Sequence, residues 1–281
     1  FNSEIKGSLN NKIISDTKVT ISQLALTDKK YKIPVQADFV NFSMNALNDK
    51  YKGEVILQGL KSQVERNKIS SENFAFAFDD RIITIKENII KILNSELKIQ
   101  GSVKDYTKSP IVDINFNGEI KSADLGNILN RYINQPYKAI GKLKTHGKVT
   151  TVNNENILNL KLEANENNYV SYAVIKELLN KPSVLNVDLV QNGDELKIKY
   201  ISLYENGSPK AATDKYGKIF YSSGLVNTKT NSLKDFNIVI PQKLSASSDF
   251  FGGEDISLKA DLLLNGSLNF PKIKGNAGIY T

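Results

Sequence analysis

Apolar residues recur at every second position through most of this chain, and a one-sided β-sheet is the fold that accepts such a pattern. Leu97, Ile99, Gly101 and Val103 share one parity, while Lys98, Gln100 and Ser102 take the other. Val112, Ile114, Phe116, Gly118 and Ile120 alternate in the same way with Asp113, Asn115, Asn117 and Glu119. The period returns at Phe74, Phe76 and Phe78, at Leu158, Leu160 and Leu162, and at Phe236, Ile238 and Ile240. Near the end it holds from Ile256 through Leu258, Ala260, Leu262, Leu264 and Gly266 to Leu268. Successive side chains of a pleated strand leave opposite sides, so each run has an apolar face and a polar one. Parallel sheets are covered on both sides and read as unbroken apolar runs, so the expected sheet is antiparallel. The expected fold class is all-β: a long, curved, one-sided antiparallel sheet forming a groove or open barrel, with two short helices. At 281 residues the chain suits one elongated β-groove domain, 1–281, or two halves, 1–136 and 137–281.

Asn-Gly pairs test the strand map, because a two-residue turn there sets which side chains face each other. At Asn192-Gly193 a turn pairs Leu189 with Leu196, Val187 with Ile198 and Leu185 with Tyr200, so a hairpin is expected. At Asn265-Gly266 a turn would set Leu268 beside Leu263, and at Asn117-Gly118 it would set Phe116 beside Glu119. Both pairs are therefore expected inside uninterrupted strands. Ile256 to Leu268 is read as one strand of roughly 40 Å.

Two helices are expected. Ser122-Ala123-Asp124 offers an N-cap before Leu125, Ile128, Leu129, Tyr132 and Ile133, with Pro136 as the stop. The second runs from about Tyr169 to Leu179, with Val174, Ile175, Leu178 and Leu179 apolar and Pro182 beyond. Both are expected to cap or plug a sheet. Asn206 to Gly217 lacks periodicity and reads as a loop. An apolar-x-Gly-x-apolar element recurs at Gly7, Gly101, Gly118, Gly266 and Gly275, each glycine standing on the apolar face. A glycine inside a strand marks a bend, a bulge or the close approach of another group to the backbone.

Composition removes most enzyme chemistry. The chain has no Cys, which excludes disulfides, thiol catalysis and Cys-ligated metals, and His146 is its single histidine. His146 falls on the polar parity of a strand through Leu143 and Val149 and is expected exposed and idle. The net charge is +7, yet only Arg66, Arg81 and Arg131 are arginine, and the lysines are scattered. Nucleic-acid readout favours the planar guanidinium fork and a dense basic patch, so no nucleic-acid partner is expected. Asp113-x-Asn115-x-Asn117-Gly118 has the spacing of a calcium loop, but Pro110 bars an entering helix, and strand alternation explains the same residues. Asp79-Asp80, Asp194-Glu195 and Glu254-Asp255 read as solvated turns, since neighbours on a strand point to opposite faces. There is no phosphate-cradling glycine loop or dinucleotide fingerprint. No catalytic residue, metal or cofactor is expected. With a mean hydropathy of −0.31 and only short apolar runs, no transmembrane helix is expected. The sequence opens at Phe1 without a signal-peptide apolar core, so any targeting segment or anchor is expected outside this stretch.

Two stretches carry a family resemblance. One is Ser95-Glu96-Leu97-Lys98-Ile99-Gln100-Gly101-Ser102-Val103, a polar loop ending in Pro110, then Ile114-Asn115-Phe116-Asn117-Gly118-Glu119-Ile120 and Ala123-Asp124-Leu125-Gly126-Asn127-Ile128-Leu129. The other is Leu262-Leu263-Leu264-Asn265-Gly266-Ser267-Leu268-Asn269-Phe270-Pro271-Lys272-Ile273-Lys274-Gly275. The chain here resembles the AsmA-like proteins of bacterial envelopes, including the TamB group, over less than half of its length. The resemblance implies a β-groove held in the periplasm by an inner-membrane anchor, moving phospholipid toward the outer membrane, with an outer-membrane protein as a further partner. The groove would be lined by Phe74, Phe76, Phe78, Leu97, Ile99, Val103, Ile114, Phe116, Ile120, Leu258, Leu262, Leu264 and Leu268. The competing reading is a secreted or surface β-sandwich, adhesin-like or polysaccharide-binding, whose apolar faces close on each other as a dry core. Exposed aromatic platforms would favour sugar; Trp is absent and Phe lies chiefly on the inward parity.

Overall fold

The computed structural model describes residues 14–27, 32–47, 50–64, 67–129, 137–165, 168–172, 175–179, 182–205, 219–246 and 256–280. The alternating segments are strands, rich in the β-branched and aromatic residues that suit a pleated surface. The chain divides into two compact units, Phe1–Gly118 and Glu119–Thr281. The boundary read at Pro136, the loop Asn206–Gly217 and the glycine element at Gly7 lie outside the described residues.

Unit 1 is an antiparallel meander of β1 (Ile14–Thr27), β2 (Pro34–Leu47), β3 (Lys50–Val64), β4 (Asn67–Asp79), β5 (Ile82–Ile92), β6 (Ser95–Lys104) and β7 (Ile111–Lys121), the last running on into unit 2. Among the described residues β1 does not pair with β7, so the meander is not closed into a barrel. Opposite residues of a ladder share a face, which makes Val19, Phe42, Val55, Phe76 and Ile85 one apolar rung across five strands.

A one-residue step interrupts that face in every strand from β1 to β5. Ile85 pairs with Gly101, but Asn88 pairs with Ile99, so three residues of β5 match two of β6. Ile92 and Ile69 then pair on the same side as Phe74, although five positions separate Ile69 from Phe74. Left-handed backbone at Gln23 (φ 57) and Gly59 (φ 64) absorbs the extra residue in β1 and β3. At the step Asn88 takes over the ladder. Its amide accepts from Ala75 N at 2.6 Å and donates to Ala75 O at 2.9 Å, and Ser71 Oγ donates to Ile89 O at 2.6 Å. Ala37, Val40, Ser71, Asn88, Ser95 and Leu97, the buried residues described in unit 1, gather around this line. Asn88→Ala should cost about 1–3 kcal/mol in a urea titration, because it leaves the Ala75 N–H and C=O unpaired.

Unit 2 holds α1 (Ser122–Leu129), β8 (Tyr137–Ile140), β9 (Lys142–Val152), β10 (Glu155–Ala164), β11 (Asn168–Tyr172), β12 (Ile175–Leu179), β13 (Ser183–Asn192), β14 (Glu195–Glu205), β15 (Phe220–Asn227), β16 (Ser232–Ala246), β17 (Ile256–Ser267) and β18 (Pro271–Tyr280). Its main ladder runs β9, β10, β13, β14, β15, β16, β17, β18, antiparallel throughout. β8, β11 and β12 form a smaller group that meets β16 at Ile175 and Ala246.

Three expectations are corrected. The second helix does not form: Tyr169–Leu179 is β11 and β12, paired with each other and with β8. A helix this short has little stability of its own, and ladder bonds to a strand already in place outweigh its weak periodicity. The hairpin after β13 turns at Gly193-Asp194, so Leu189 faces Ile198 and Leu185 faces Leu203. Gly193 takes φ 56 as the first central residue, the position a II′ turn reserves for glycine. Leu268 lies past the end of β17, in the turn before β18, where its N–H donates to Asn231 O at 2.7 Å. Asn117-Gly118 and Asn265-Gly266 do lie inside strands, and the helix at Ser122 forms.

Candidate functional site

Each unit carries a face on which apolar residues line up across several strands. In unit 1 it contains Phe74, Phe76 and Phe78 of β4 and Leu97, Ile99 and Val103 of β6, joined through Ile83, Ile85 and Ile90 of β5. β7 lies against β6 so closely that a Cβ on Gly101 would stand 2.1 Å from Asp113 O, and one on Gly118 2.2 Å from Glu96 O. That contact places Ile114 beside Gly101 and Phe116 beside Ile99, on the same face. Of these side chains only Leu97 is buried, at 7% exposure; the others are half-buried. Side chains in a sandwich core lose nearly all their exposure, whereas these keep part of theirs.

The face ends in a polar tip. Phe78 stacks on Phe42 with centroids 5.7 Å apart and meets Tyr51 at 6.2 Å. The Tyr51 and Tyr106 hydroxyls share a hydrogen bond of 2.9 Å, and Tyr106 also donates to Asp79 O at 2.9 Å. The bond to Tyr51, with burial second, pushes the Tyr106 phenol up to about 12, so it stays a donor. Asp79 Oδ1 accepts from Arg81 N at 2.8 Å and Ile82 N at 2.7 Å, which holds its carboxyl below the usual range. The carboxylate is the form that binds these N–H groups. Its stabilisation is therefore complete above the ordinary pKa of 3.8 and is lost as pH falls through the lowered value. The stability difference between the native chain and Asp79→Ala should stay flat from pH 7 to 5 and shrink below about pH 4 in denaturant titrations.

In unit 2 the face is built of rungs. Leu160, Val187, Ile201, Ser222, Ile238 and Leu262 are successive partners, and Leu158, Leu189 and Ile198 begin another that ends with Phe236, Leu264 and Ile273. Leu258 lies on the same face, opposite Leu244 and Ile279. At one end Leu143, Leu162 and Ala164 are buried, with Ile120 and Leu125 packed on them, so α1 plugs that end. The plug is pinned by Ser122, whose N–H donates to Gly141 O at 3.0 Å and whose hydroxyl donates to Asn168 Oδ1 at 3.4 Å. At the other end Ile273 and Ile279 are 59% and 56% exposed, and the half-buried Leu258, Leu262 and Leu264 lie between. The face is thus stopped at α1 and open at β18.

Of the expected lining, Phe74, Phe76, Phe78, Leu97, Ile99, Val103, Ile114 and Phe116 stand together in unit 1, and Leu258, Leu262 and Leu264 stand together in unit 2. Ile120 belongs to the plug and Leu268 to a turn. Missed were Val40, Phe42, Val55 and Leu57 of unit 1 and Val187, Ile201 and Ile238 of unit 2. Their alternation is present in the sequence, but a period alone does not say which strands are neighbours. His146 is exposed on β9, and Asp113, Asn115 and Asn117 stand along β7 on the side away from Phe116, not around a loop.

No family model, no curated protein and no solved structure matches the chain. What fold and face define is a class: antiparallel β proteins, not closed into a barrel, with apolar strand faces that stay half-buried.

Proposed function

We propose that the uncovered apolar faces accommodate acyl chains and that the chain is a non-enzymatic, lipid-carrying segment of an AsmA-like envelope protein. The observation that carries this reading is the half-burial of Phe74, Phe76, Phe78, Ile99, Val103, Ile114 and Phe116. A methylene moved from water onto such a face gains about 0.8 kcal/mol, while one moved from a bilayer exchanges one apolar surrounding for another. Entry and sliding then cost little, and head groups remain in water. The ligand class is phospholipid, and the setting is the periplasm of a Gram-negative-type bacterium, with an outer-membrane protein as a further partner.

A photo-crosslinking residue at Phe116 or Leu264, irradiated in cells, should give phospholipid adducts, while one at Asn117 on the polar parity should give none. Equal labelling at Phe116 and Asn117, or no adduct at any apolar position, defeats the reading. Native mass spectrometry of the purified chain should show bound phospholipid at the same positions' expense when they are replaced by Asp.

A further inference from the structure

The other face of unit 2 carries a patch for which an acyl chain has no use. Tyr200, Ser202 and Tyr204 follow one another at two-residue steps on β14, so their side chains leave the same side. Asp188 stands opposite Tyr200 and Asn186 opposite Ser202 on β13, while Tyr221 of β15 stands opposite Ser202 from the other flank. With about 3.3 Å of rise per residue, Tyr200 and Tyr204 are roughly 13 Å apart, and Tyr221 is about 7–8 Å from each. Three tyrosines therefore surround Ser202, and all three are half-buried, with the fully buried Val184 opposite Tyr204 and Val239 opposite Tyr221.

Two atoms of the floor between them make no hydrogen bond. Ser202 is fully buried, and its Oγ makes no hydrogen bond; Asp188 Oδ1, also shut off from solvent, receives none. Lys199 Nζ stands 3.6 Å from that oxygen, and Asn186 Nδ2 donates to Tyr204 Oη at 3.1 Å. Buried polar atoms without partners are rare in folded proteins and signal a missing one. Burial, with the Asp188 and Tyr204 charges behind it, holds the Tyr200 phenol above its ordinary value, so it remains a donor at neutral pH. Aromatic faces that take C–H surfaces thus alternate with a carboxylate, an amide and hydroxyls that exchange hydrogen bonds. A lipid tail would leave those polar groups unpaired, a nucleic acid would meet the carboxylate, and a lone cation would have to displace Lys199. A sugar ring presents both an apolar face and a rim of hydroxyls.

We propose that this face of unit 2 binds a neutral glycan, stacked on Tyr200, Tyr204 and Tyr221 and hydrogen-bonded by Asp188 and Asn186. The site does not depend on the lipid reading, since it lies on the opposite face. Calorimetric titration of the chain with chitohexaose, cellohexaose and maltohexaose tests it, with tetramethylammonium chloride as the cationic probe. At least one hexaose should bind, Tyr221→Ala should weaken it tenfold or more, and Tyr221→Phe should stay within threefold of the native chain. Phe116→Ala, in unit 1, should leave the affinity unchanged. If Tyr221→Ala does not fold, as judged by circular dichroism, Asp188→Asn should show the same loss. The proposal is overturned if no hexaose binds, if the folded variants bind as the native chain does, or if tetramethylammonium is the better ligand.

Discussion

Gly101→Ala is expected to lower the unfolding free energy by about 2–4 kcal/mol, and Gly101→Val by more. The Cβ either residue adds would stand 2.1 Å from Asp113 O and 2.7 Å from Ile114 Cα. Those atoms are backbone, so no rotamer relieves the clash; β6 and β7 must separate. Gly118 meets Glu96 O and Leu97 Cα in the reciprocal way, at 2.2 and 2.9 Å, so the two glycines let the strands approach along their whole pairing. Gly193→Ala is the control: a Cβ there meets nothing within 4 Å, and only the left-handed φ of 56 opposes it. It should cost about 1 kcal/mol. Urea titrations of the three variants check this; a native-like midpoint for Gly101→Ala would show that β6 and β7 do not approach so closely.

Leu162→Ala should destabilise the chain by about 2–5 kcal/mol, and Phe76→Ala, though it removes a larger side chain, by less. Leu162 is 4% exposed and packs with Leu143, Ala164 and Leu125 beneath the helical plug. Its removal opens a cavity that surrounding atoms fill only in part. Phe76 stands half-buried, so its removal leaves a notch that water already reaches and not a closed void. The same comparison repeated with phospholipid micelles should widen the Phe76→Ala deficit, because a ligand that binds only the folded face stabilises it by mass action. A Phe76→Ala cost equal to that of Leu162→Ala would mean a sealed core, and the lipid reading would fall with it.

The antiparallel, all-β character was legible in the sequence because the period of two is local: each strand states its own faces. The same holds for Asn117-Gly118 and Asn265-Gly266, where the phase of the flanking apolar residues decides against a turn. What failed rested on partners far along the chain. Tyr169–Leu179 reads as a helix by itself and becomes two strands because β8 offers a ladder. The one-residue step between Ile85 and Asn88 is visible as a change of parity from Ile83 and Ile85 to Ile90 and Ile92, but its continuation through β1 to β4 shows only when the strands are set side by side. The tyrosine patch is of the same kind. Tyr200 and Tyr204 alternate on one strand, yet Asp188 and Tyr221 reach them from two others.

By itself the sequence determined which residues share a face, since parity along a strand needs only the planar peptide and the pleat. It also determined that chemistry dependent on Cys or on several His residues is absent, since those residue types are missing or single. Only the tertiary structure decided whether each apolar face is covered. Coverage depends on which element folds over which strand: α1 lies over Leu143, Leu162 and Ala164, which are buried, while Phe74, Phe76 and Phe116 stay half-buried. Alternation is identical in the two cases, because a strand's pattern responds to water on one side and not to what excludes water on the other.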